Sequence, residues 1–453
     1  MEMSKADKKM KILDFLHFQN PTADQKKVLL SMEDFVSNEN LNDFMILIGA
    51  AGTGKTSITS ALVGYMNSID MKYKIVAPTG RAARIIGRKT NSTSSTIHSL
   101  IYVPCTVGET GQVKFKLKQT DNEDPNIFIV DEASMIAKEQ QNNDSLFQTE
   151  NGLLYDLIEF IKSSNPNNKI IFLGDRYQLP PIYESESYAL NLEFLETRFN
   201  LRGLIFELTE VKRQEDGSYI LEHANEIRRA LDEGVKSLPV KGVANQNIFS
   251  AASNFARNIE RDGLESQIAI GVSNKANKFF NDLVREKIFG TARKMLEPGD
   301  LLMVTHNWNR SGVHLYNGDH VELISVDWGL QEQVAGIHFV AVKIKVLFQE
   351  TETEIEDLAV LETLVSPGGV LDENLVKELR KQRYVKNDIL KASNMPSDDR
   401  YLGALQLTYG HAITCNKAQG GEWKRVFINS IGIPSLKWQY TAITRAKDEL
   451  NKF

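Results

Sequence analysis

The sequence has few cysteines and no long apolar segment, and both absences limit what the protein can be. Cys105 and Cys415 are its two cysteines in 453 residues, so disulfides cannot hold the fold together and a reducing compartment is expected. No apolar run approaches the ~18 residues of a membrane span. The basic start MEMSKADKKMK lacks the apolar stretch of a signal peptide. The sequence therefore predicts a cytoplasmic protein with no membrane partner, either bacterial or, if phage-encoded, in the host cytoplasm.

The sequence also lacks an excess of basic residues. Its 53 Lys and Arg against 59 Asp and Glu give a formal charge of −6, which argues against a protein coated in basic surface. The charge is uneven, however. Residues 71–118 contain nine basic residues and one acid, whereas residues 349–364 contain six acids and no base. Such asymmetry favours one face that binds a polyanion.

Short apolar segments alternate with amphipathic helical patterns along most of the chain. At about 100–200 residues per domain, the length predicts two to four domains. The apolar segments are FMILIGA (44–50), KIVAPTG (74–80), IFIVDEA (127–133), IIFLGD (170–175) and IAIGVSN (268–274). Fully apolar strands separated by helices predict an α/β fold with parallel sheets covered on both faces. In such sheets ligands bind at the carboxyl ends of the strands.

Two stretches interrupt this alternation. Residues 100–118 are typical of a β-hairpin, with GETG as the turn and lysines alternating with apolar residues in the second arm. Because Phe115 is in phase with the apolar residues, we expect it to be buried. Residues 298–400 contain the strand-like segments LLMVTH, HVELISV and FVAVKIKVLF, which predict a small barrel or sheet.

A glycine-rich segment between an apolar strand and a helix has the pattern of a phosphate-binding loop. The motif G-x-x-x-x-G-K-[ST] is formed by Gly49, Ala50, Ala51, Gly52, Thr53, Gly54, Lys55 and Thr56. The glycines let backbone N–H groups turn towards phosphate oxygens, and the helix N-terminus adds positive potential. Lys55 would reach the outer phosphates and the Thr56 hydroxyl would bind Mg²⁺.

An acidic pair follows the strand IFIV. In this position Asp131 would hold Mg²⁺ through water, and Glu132 would polarise the attacking water. An acidic pair after a strand is also common at a solvated loop end. The phosphate loop about 75 residues earlier favours the catalytic alternative. The predicted reaction is hydrolysis of a nucleoside triphosphate.

Seven segments resemble, in order, the signature motifs of superfamily 1 helicases. They are APTGRAA (77–83), STIHSL (95–100), VDEAS (130–134), GDRYQLPP (174–181), LTEVKRQ (208–214), ITCNKAQGGEW (413–423) and YTAITRAK (440–447). The resemblance is greatest to the 5′-to-3′ branch, superfamily 1B, and within it to the RecD and TraA group and the phage helicase Dda. It implies two tandem RecA-like parallel-sheet lobes, with an inserted β-hairpin (pin) in the first and an inserted small β-barrel in the second.

The resemblance also implies domain boundaries. The first lobe, 1A, would comprise residues 1–99 and 126–210, around a pin domain, 1B, at 100–125. The second lobe, 2A, would comprise residues 211–297 and 403–453, around a barrel domain, 2B, at 298–402. Within the barrel domain, residues 324–402 have no close counterpart in the family. A strand after the YTAITRAK motif is expected to be short or absent.

Roles for single residues follow from the same resemblance. Gln25 would read the adenine edge of ATP, Glu422 would touch the ribose and Gln178 would sense the γ-phosphate. Arg213 and Arg445 would neutralise transition-state charge, a contribution worth ~10³–10⁵ in rate, and supplying it from another lobe would couple closure to hydrolysis. The alternatives left open are an exposed helical Gln25 and ordinary surface salt bridges for the two arginines.

The DNA contacts implied by the resemblance are polar and basic residues of both lobes. They are Pro78, Thr79, Arg81, His98, Asn274, Lys275, His306, Asn307, Thr414 and Lys417. His98 could instead be a packing or capping histidine and Asn307 a turn residue. In the sixth of these motifs, ITCNKAQGGEW, Asn416 replaces the usual histidine; it can form hydrogen bonds but cannot become cationic. Tyr102, in the hairpin, is a candidate to stack on a base.

Together these features predict an ATP- and Mg²⁺-dependent DNA helicase that moves 5′ to 3′ on single-stranded DNA. The expected partners are single-stranded DNA, junctions with duplex, and single-strand-binding, replication or recombination proteins, and the protein is expected to be a monomer. A DNA-stimulated translocase that displaces proteins without separating strands remains an alternative. A P-loop kinase is excluded because that function would not account for the motifs GDRYQLPP and YTAITRAK.

Overall fold

The computed structural model describes the chain in eleven segments. They are residues 10–18, 20–37, 40–105, 113–120, 124–140, 147–148, 151–210, 219–242, 246–310, 312–347 and 352–453. The chain divides into two compact units. Of the described residues, those within 10–105, 115–140 and 148–210 belong to the first unit, and those within 113–114, 147 and 219–453 belong to the second.

From residue 10 to residue 210 the chain alternates strands with helices. The elements are α1 (Ala23–Phe35), β1 (Phe44–Gly49), α2 (Lys55–Ser68), β2 (Tyr73–Ala77), α3 (Gly80–Thr90), β3 (Ser94–Thr96), α4 (Ile97–Ile101), β4 (Tyr102–Cys105), β5 (Val113–Leu117), β6 (Ile127–Val130), β7 (Phe147–Gln148), α5 (Leu153–Ser164), β8 (Lys169–Gly174), α6 (Leu192–Phe199) and β9 (Gly203–Leu208). Short 3₁₀ helices occur at Ile12–Phe15, Ala133–Met135 and Tyr188–Leu190.

A six-stranded parallel sheet forms the centre of the first unit. Its order is β3-β2-β6-β8-β1-β9, and all its strand pairs are parallel. Every residue of β1 and β6 is buried, as expected for apolar strands covered on both faces. Because the strands are parallel, the loops that follow β1, β6 and β8 lie at one edge of the sheet. These loops carry the phosphate-loop motif, the acidic pair and Gln178.

The predicted hairpin is present as β4 and β5, which are neighbours in a small sheet with β7. Its GETG turn lies outside the described residues. Tyr102 is buried, and its hydroxyl donates a hydrogen bond to Asp156 Oδ2 at 2.5 Å. Tyr102 is therefore not available to stack on a base, and that prediction is wrong. Phe115 is half-buried.

From residue 219 to the end, the chain forms a second sheet with its helices, and a barrel is inserted between two strands of that sheet. The elements are α7 (Tyr219–Asp232), α8 (Ile248–Asp262), β10 (Gln267–Gly271), α9 (Asn274–Phe289), β11 (Leu301–Val304), β12 (Trp308–Arg310), β13 (Val313–Leu315), β14 (His320–Val334), β15 (Ile337–Val346), β16 (Glu354–Val360), α10 (Glu362–Val365), α11 (Glu373–Lys386), α12 (Asp388–Ser393), β17 (Leu405–Tyr409), β18 (Ala412–Thr414), α13 (Cys415–Ala418), β19 (Trp423–Ile428), α14 (Leu436–Ile443) and β20 (Ala446–Lys452). Short 3₁₀ helices occur at Leu264–Ser266 and Pro396–Asp398.

The second unit contains a parallel sheet of order β18-β10-β19-β20 and a closed barrel of order β11-β14-β15-β16-β17. The predicted fold, two parallel-sheet lobes with an inserted hairpin and an inserted barrel, is therefore confirmed. The barrel closes through β17, which pairs antiparallel with β11 and lies beyond the predicted barrel end at residue 402. The seven-residue strand β20 pairs with β19, so the expectation of a short or absent strand there is wrong. The pattern of apolar residues does not predict β20, because the strand contains the charged residues Lys447, Asp448 and Glu449.

No helix in the described part of the chain is both long and apolar enough to cross a bilayer.

A buried ion pair joins the helix α9 to the start of the barrel. Arg285 Nε and Nη2 donate to the two carboxylate oxygens of Asp300 at 2.6 and 2.9 Å, and both side chains are at most 3% exposed. Arg285 Nη2 also donates to the carbonyl of Met295 at 3.2 Å. The guanidinium carbon lies 4.1 Å from the ring centre of Tyr409 in β17. These contacts fix the position of the barrel against its own sheet.

Replacing Asp300 with alanine should lower the free energy of unfolding by about 3–5 kcal/mol, because the buried Arg285 guanidinium loses its counter-charge. Urea denaturation followed by circular dichroism measures the change. The matched control is Lys377→Ala, which removes an exposed contact to Glu373 at 3.7 Å and should cost less than ~0.5 kcal/mol. An equally small effect of Asp300→Ala would contradict this role of the pair.

Candidate nucleotide and nucleic-acid sites

The loop between β1 and α2 is shaped as a phosphate cradle. Gly52 and Gly54 have φ angles of +85° and +92°, which glycine adopts without the penalty of a Cβ atom. A Cβ on Gly49 would lie 2.5 Å from Thr53 Oγ1, which donates to the carbonyl of Ala50 at 2.9 Å. Among the described residues no side chain caps the N-terminus of α2. Its first backbone N–H groups can therefore bind an anion.

Lys55 begins the helix α2 and turns back over the loop. Its Nζ donates to the carbonyls of Gly49 and Ala50 at 2.5 and 3.1 Å. Phosphate oxygens would offer this ammonium negatively charged acceptors in place of the two neutral carbonyls. Thr56 follows in the first turn of α2 and is half-buried. The cradle, the ammonium and the hydroxyl together fit a nucleotide phosphate with its metal ion.

The acidic pair lies at the same sheet edge, immediately after β6. Burial raises the pKa of Asp131 to about 7, and the neighbouring Glu132 carboxylate adds to the rise. A cation at this position would favour the ionised form, so the site suits Mg²⁺. The described residues contain no group of three or more His, Cys, Asp or Glu placed to hold a metal.

Glu132 has a left-handed backbone, with φ +49° and ψ +39°. This conformation is uncommon outside glycine, and a strained residue costs on the order of 1–3 kcal/mol. Such residues are concentrated at functional sites. Seven other described non-glycine residues, among them Asp70 and Asn91, also have positive φ angles, so a catalytic part for Glu132 stays a prediction.

Gln178 lies in the loop after β8 and is 3% exposed. Its Oε1 atom is buried and has no hydrogen-bond partner among the described residues. The turn around it is fixed by Asp175, whose carbonyl accepts from the Gln178 N–H at 3.2 Å and whose Oδ1 accepts from the Tyr177 N–H at 3.0 Å. A buried acceptor without a partner costs about 1–3 kcal/mol. A water molecule bound beside a phosphate is a donor that would satisfy it.

Gln25 is tied to the phosphate loop rather than exposed. The residue is 2% exposed, so the alternative of an exposed helical glutamine is wrong. Its Oε1 accepts from the Thr22 N–H at 3.0 Å, which forms the capping box of α1. Its Nε2 donates to the carbonyl of Thr53 at 3.0 Å, and a Cβ on Gly54 would lie 2.8 Å from that nitrogen. Recognition of adenine by Gln25 stays a prediction.

Arg445 lies in the second unit, between α14 and β20, and is 4% exposed. Its guanidinium donates to the carbonyls of Thr441 and Gly421 at 3.0 and 3.2 Å and to Thr444 Oγ1 at 3.0 Å. No carboxylate pairs with it in the described part of the chain, so the salt-bridge alternative is wrong. Because its partners are neutral oxygens, the positive charge of this buried guanidinium is not neutralised and can stabilise an anionic group. Arg213 lies outside the described residues.

Glu422, the predicted ribose contact, lies before β19 and is half-buried. Its Oε2 atom is 3.8 Å from Lys447 Nζ. Recognition of the ribose by this residue stays a prediction.

The predicted DNA contacts of the first unit begin at the loop after β2. Thr79 caps α3, because its Oγ1 accepts from the Ala82 N–H at 3.2 Å; its hydroxyl therefore already has a structural task. Pro78 and Arg81 flank this cap. His98 is half-buried, and burial lowers its pKa to about 4. Its ring is therefore neutral near pH 7 and would contact DNA through hydrogen bonds rather than as a cation.

Three predicted DNA contacts of the second unit line one pocket. Asn274, Thr414 and Lys417 meet between the N-terminus of α9 and the α13 turn, and no acidic residue lines this pocket in the described structure. Burial lowers the pKa of the Lys417 ammonium, and no carboxylate pairs with it among the described residues. Sequence reasoning missed Asn277, which also lines the pocket. Its spacing of three residues from Asn274 on the same helix face was the available signal.

The remaining predicted contacts are Lys275, His306 and Asn307. Lys275 is exposed beside Asn274, and His306 is half-buried after β11. Asn307 Oδ1 accepts from the Asn317 N–H at 2.9 Å, so it serves as a turn residue, as its structural alternative predicted. Contact of these residues with DNA stays a prediction.

Two family models match the chain. The description of the first is an AAA domain, over residues 33–184, and that of the second is a UvrD-like helicase C-terminal domain, over residues 409–451. The first match covers the phosphate loop, the acidic pair and Gln178. The second covers the α13 turn and Arg445.

Two curated relatives share parts of the sequence. The ATP-dependent RecD2 DNA helicase of Deinococcus radiodurans is 29% identical over 138 residues, which are 30% of this chain and 16% of the relative. The ATP-dependent DNA helicase dda of Enterobacteria phage T4 is 27% identical over 256 residues, which are 55% of this chain and 53% of the relative. The chain thus spans about half, or less, of the length of these relatives.

A solved structure supports the fold over almost the whole chain. The Pif1 helicase of Candida albicans superposes with a TM-score of 0.53 at 15% identity, covering 96% of this chain and 94% of that one.

Replacing Gln25 with glutamate should raise the Kd for an ATP analogue by about tenfold or more, because a hydrogen bond to the loop is lost and a negative charge is added beside the phosphates. Calorimetric titration with a non-hydrolysable analogue measures the change. Lys26→Gln, which alters an exposed neighbour, is the control and should bind almost normally. Unchanged affinity in Gln25→Glu would show that this contact does not shape the loop.

Proposed function

We propose that this chain is a superfamily 1B helicase that hydrolyses ATP to move along single-stranded DNA and separate duplex strands. Its motifs, the two matching family models and the two curated relatives support this proposal. The observation that carries the proposal is the convergence of three loops at one edge of the first sheet. The phosphate cradle follows β1, the acidic pair follows β6 and Gln178 follows β8. Each loop contains a polar or charged group that a bound nucleotide would satisfy.

In the proposed reaction, the cradle and Lys55 hold the phosphates of ATP. Glu132 accepts a proton from the attacking water, and Gln178 orients that water through its unpartnered Oε1. Mg²⁺ bound by Thr56 and Asp131 would withdraw charge from the phosphate oxygens. Arg445 supplies positive charge to the transition state from the second unit. Arg213 is proposed for the same task.

The proposed nucleotide contacts outside the phosphates are Gln25 to the adenine and Glu422 to the ribose. Gln25 binds the carbonyl of Thr53 in the cradle, so adenine recognition and cradle geometry would share one side chain. This arrangement would make the enzyme prefer ATP over nucleotides that lack the adenine edge.

The proposed DNA substrate is held chiefly through its phosphates, a mode that tolerates any base sequence. The acid-free pocket of Asn274, Thr414 and Lys417 supports this mode. Movement from 5′ to 3′ is proposed from the family relationship, as are a monomeric state and partners among single-strand-binding, replication or recombination proteins. The same residues would serve a translocase that displaces proteins, so strand separation needs its own test.

Matched duplexes that carry a 5′ or a 3′ single-stranded tail test activity and direction together. We expect unwinding of the 5′-tailed substrate, and DNA-stimulated ATP hydrolysis in parallel. Lys55→Ala and Glu132→Gln should reduce ATP turnover by at least ~10³-fold, because each removes a group that acts on the transferred phosphate or the water. Normal turnover in either variant would refute the site.

The other outcomes of this experiment separate the alternatives. Unwinding of the 3′-tailed duplex alone would reverse the proposed direction. DNA-stimulated ATP hydrolysis without unwinding of either substrate would favour the protein-displacing translocase.

Replacing Arg445 with alanine should reduce ATP hydrolysis by about 10³-fold or more while leaving ATP binding measurable, because its charge acts on the transition state. Single-turnover hydrolysis and fluorescent-nucleotide binding separate the two effects. Arg445→Lys keeps the charge but loses the planar geometry, and it should recover only part of the rate. Loss of hydrolysis together with loss of folding, seen by circular dichroism, would instead indicate a structural role.

A further inference from the structure

A glycine loop of the barrel domain reaches the acid-free pocket of the second unit. The loop, Ser366–Gly369, lies between α10 and α11, within the stretch that has no close counterpart in the family. Gly368 and Gly369 have φ angles of +83° and +73°. A Cβ on Gly368 would lie 2.5 Å from Asn274 Nδ2, and one on Gly369 would lie 2.4 Å from Thr305 Cγ2. Both φ angles favour glycine, and a Cβ on Gly368 would displace the Asn274 amide at the start of α9.

Hydrogen bonds fix the loop to the barrel and stabilise its own turn. The Thr305 hydroxyl donates to the carbonyl of Gly369 at 3.1 Å, and the Gly369 N–H donates to the carbonyl of Ser366 at 3.0 Å. Ser366 and Gly368 line the pocket together with Thr408 of β17. The barrel therefore supplies one wall of a pocket whose other walls come from α9 and α13.

Asn277, on the α9 wall, is a buried side chain without a partner. It is 6% exposed, and its Nδ2 has no hydrogen-bond partner among the described residues. Asn281, one turn further along α9, is the opposite case. Its amide donates to the carbonyls of Tyr409 and Ala412 and accepts from the Ala412 N–H, at 2.9–3.2 Å. Asn281 is thus satisfied by the fold, whereas Asn277 offers a buried donor to the pocket.

The unsatisfied donor lies among other donors. Lys417, Thr414, Thr408 and Ser366 also line the pocket, and their side chains carry one ammonium group and three hydroxyls. A site with several donors and no carboxylate suits an anion with several acceptor oxygens. A buried asparagine amide without such a ligand would cost about 1–3 kcal/mol.

We propose that Asn277, Lys417 and the barrel loop Ser366–Gly369 form a clamp for one phosphate of the DNA strand. The clamp rests on the proposed function, because it takes the strand on which the enzyme would move. It adds to that function a contact that the helicase motifs do not assign, since Asn277 and the loop lie outside all of them. The same phosphate would be held by the sheet and by the barrel at once.

The test compares asparagine variants on the helix α9, with fluorescein-labelled oligothymidylate as the probe. Asn277→Ala should weaken binding by about tenfold, since a hydrogen bond to a charged group is lost. Its melting temperature should fall much less than that of Asn281→Ala, because the Asn277 Nδ2 atom has no hydrogen-bond partner in the described structure. Asn281→Ala should behave in the opposite way for stability, with a clear fall in melting temperature, because its partners in the β17–β18 turn lose their hydrogen bonds.

A charge variant measures the clamp by its salt dependence. Asn277→Asp places a carboxylate in the pocket that Lys417 also lines, so it should weaken binding further and lower the slope of log Kd against log salt concentration by about 0.7, the value for one phosphate on a single strand. Asn374→Asp makes the same charge change on the exposed start of α11 and should leave Kd and slope close to those of the unaltered protein.

The loop is tested by Gly368→Ala, which should also weaken binding of the oligonucleotide. Gly234→Ala imposes a similar left-handed strain, at φ +73°, where a Cβ would meet nothing within 4 Å. It serves as the control for strain alone and should bind normally.

Three results would overturn the clamp. They are normal binding by both Asn277 variants, a fall in melting temperature of Asn277→Ala as large as that of Asn281→Ala, and equal binding by Gly368→Ala and Gly234→Ala. Failure of the unaltered protein to bind the oligonucleotide is a different result, because it would contradict the proposed function itself.

Discussion

The parallel register of the first sheet decides where chemistry can occur in this unit. Because all six strands of the order β3-β2-β6-β8-β1-β9 run the same way, every loop that leaves a carboxyl end faces the same side. The neighbours β6, β8 and β1 lie at the centre of the sheet, so their three loops are also adjacent. The glycine cradle, the acidic pair and the buried glutamine are therefore close together at this edge, although they are far apart along the chain. If the sheet were mixed, these groups would lie on opposite edges.

Several polar groups at the candidate sites are buried without full compensation. Gln178 Oε1 and Asn277 Nδ2 have no partner in the described structure, and Arg445 binds only neutral oxygens there. Asn281 and the Arg285–Asp300 pair, by contrast, are satisfied by partners within the fold. An unsatisfied buried group lowers stability, and the proposed ligands would supply the partners that these three side chains lack.

The sequence predicted the parts of the fold that depend on local pattern. Apolar segments ending in small or acidic residues gave the strands β1, β2, β6, β8 and β10, and the glycine spacing gave the cradle. The strand β20 was missed because its charged residues hide a pairing with β19 that is set by the tertiary fold. Likewise, the closing strand β17 lies past the predicted end of the barrel. Strand pairing between distant segments leaves little trace in local composition.

Single-residue environments were harder to predict than motifs. The sequence identified Gln25 and Tyr102 but could not give their burial, which depends on contacts with Thr53 and Asp156 that are far away in the chain. Nor could it separate Asn277 from Asn281, since the two lie one turn apart on the same helix. Only the position of the β17–β18 turn, which satisfies one asparagine and not the other, distinguishes them.

The link between the barrel and its sheet is unusually direct. Between the end of β17 and the start of β18 lie two residues, Gly410 and His411, and α13 follows β18 without a break. Even fully extended, two residues span at most about 7 Å, so this connection allows the barrel and the sheet little independent movement. A displacement of the barrel would therefore also displace Lys417 in α13, because the connecting residues are too few to take up the movement.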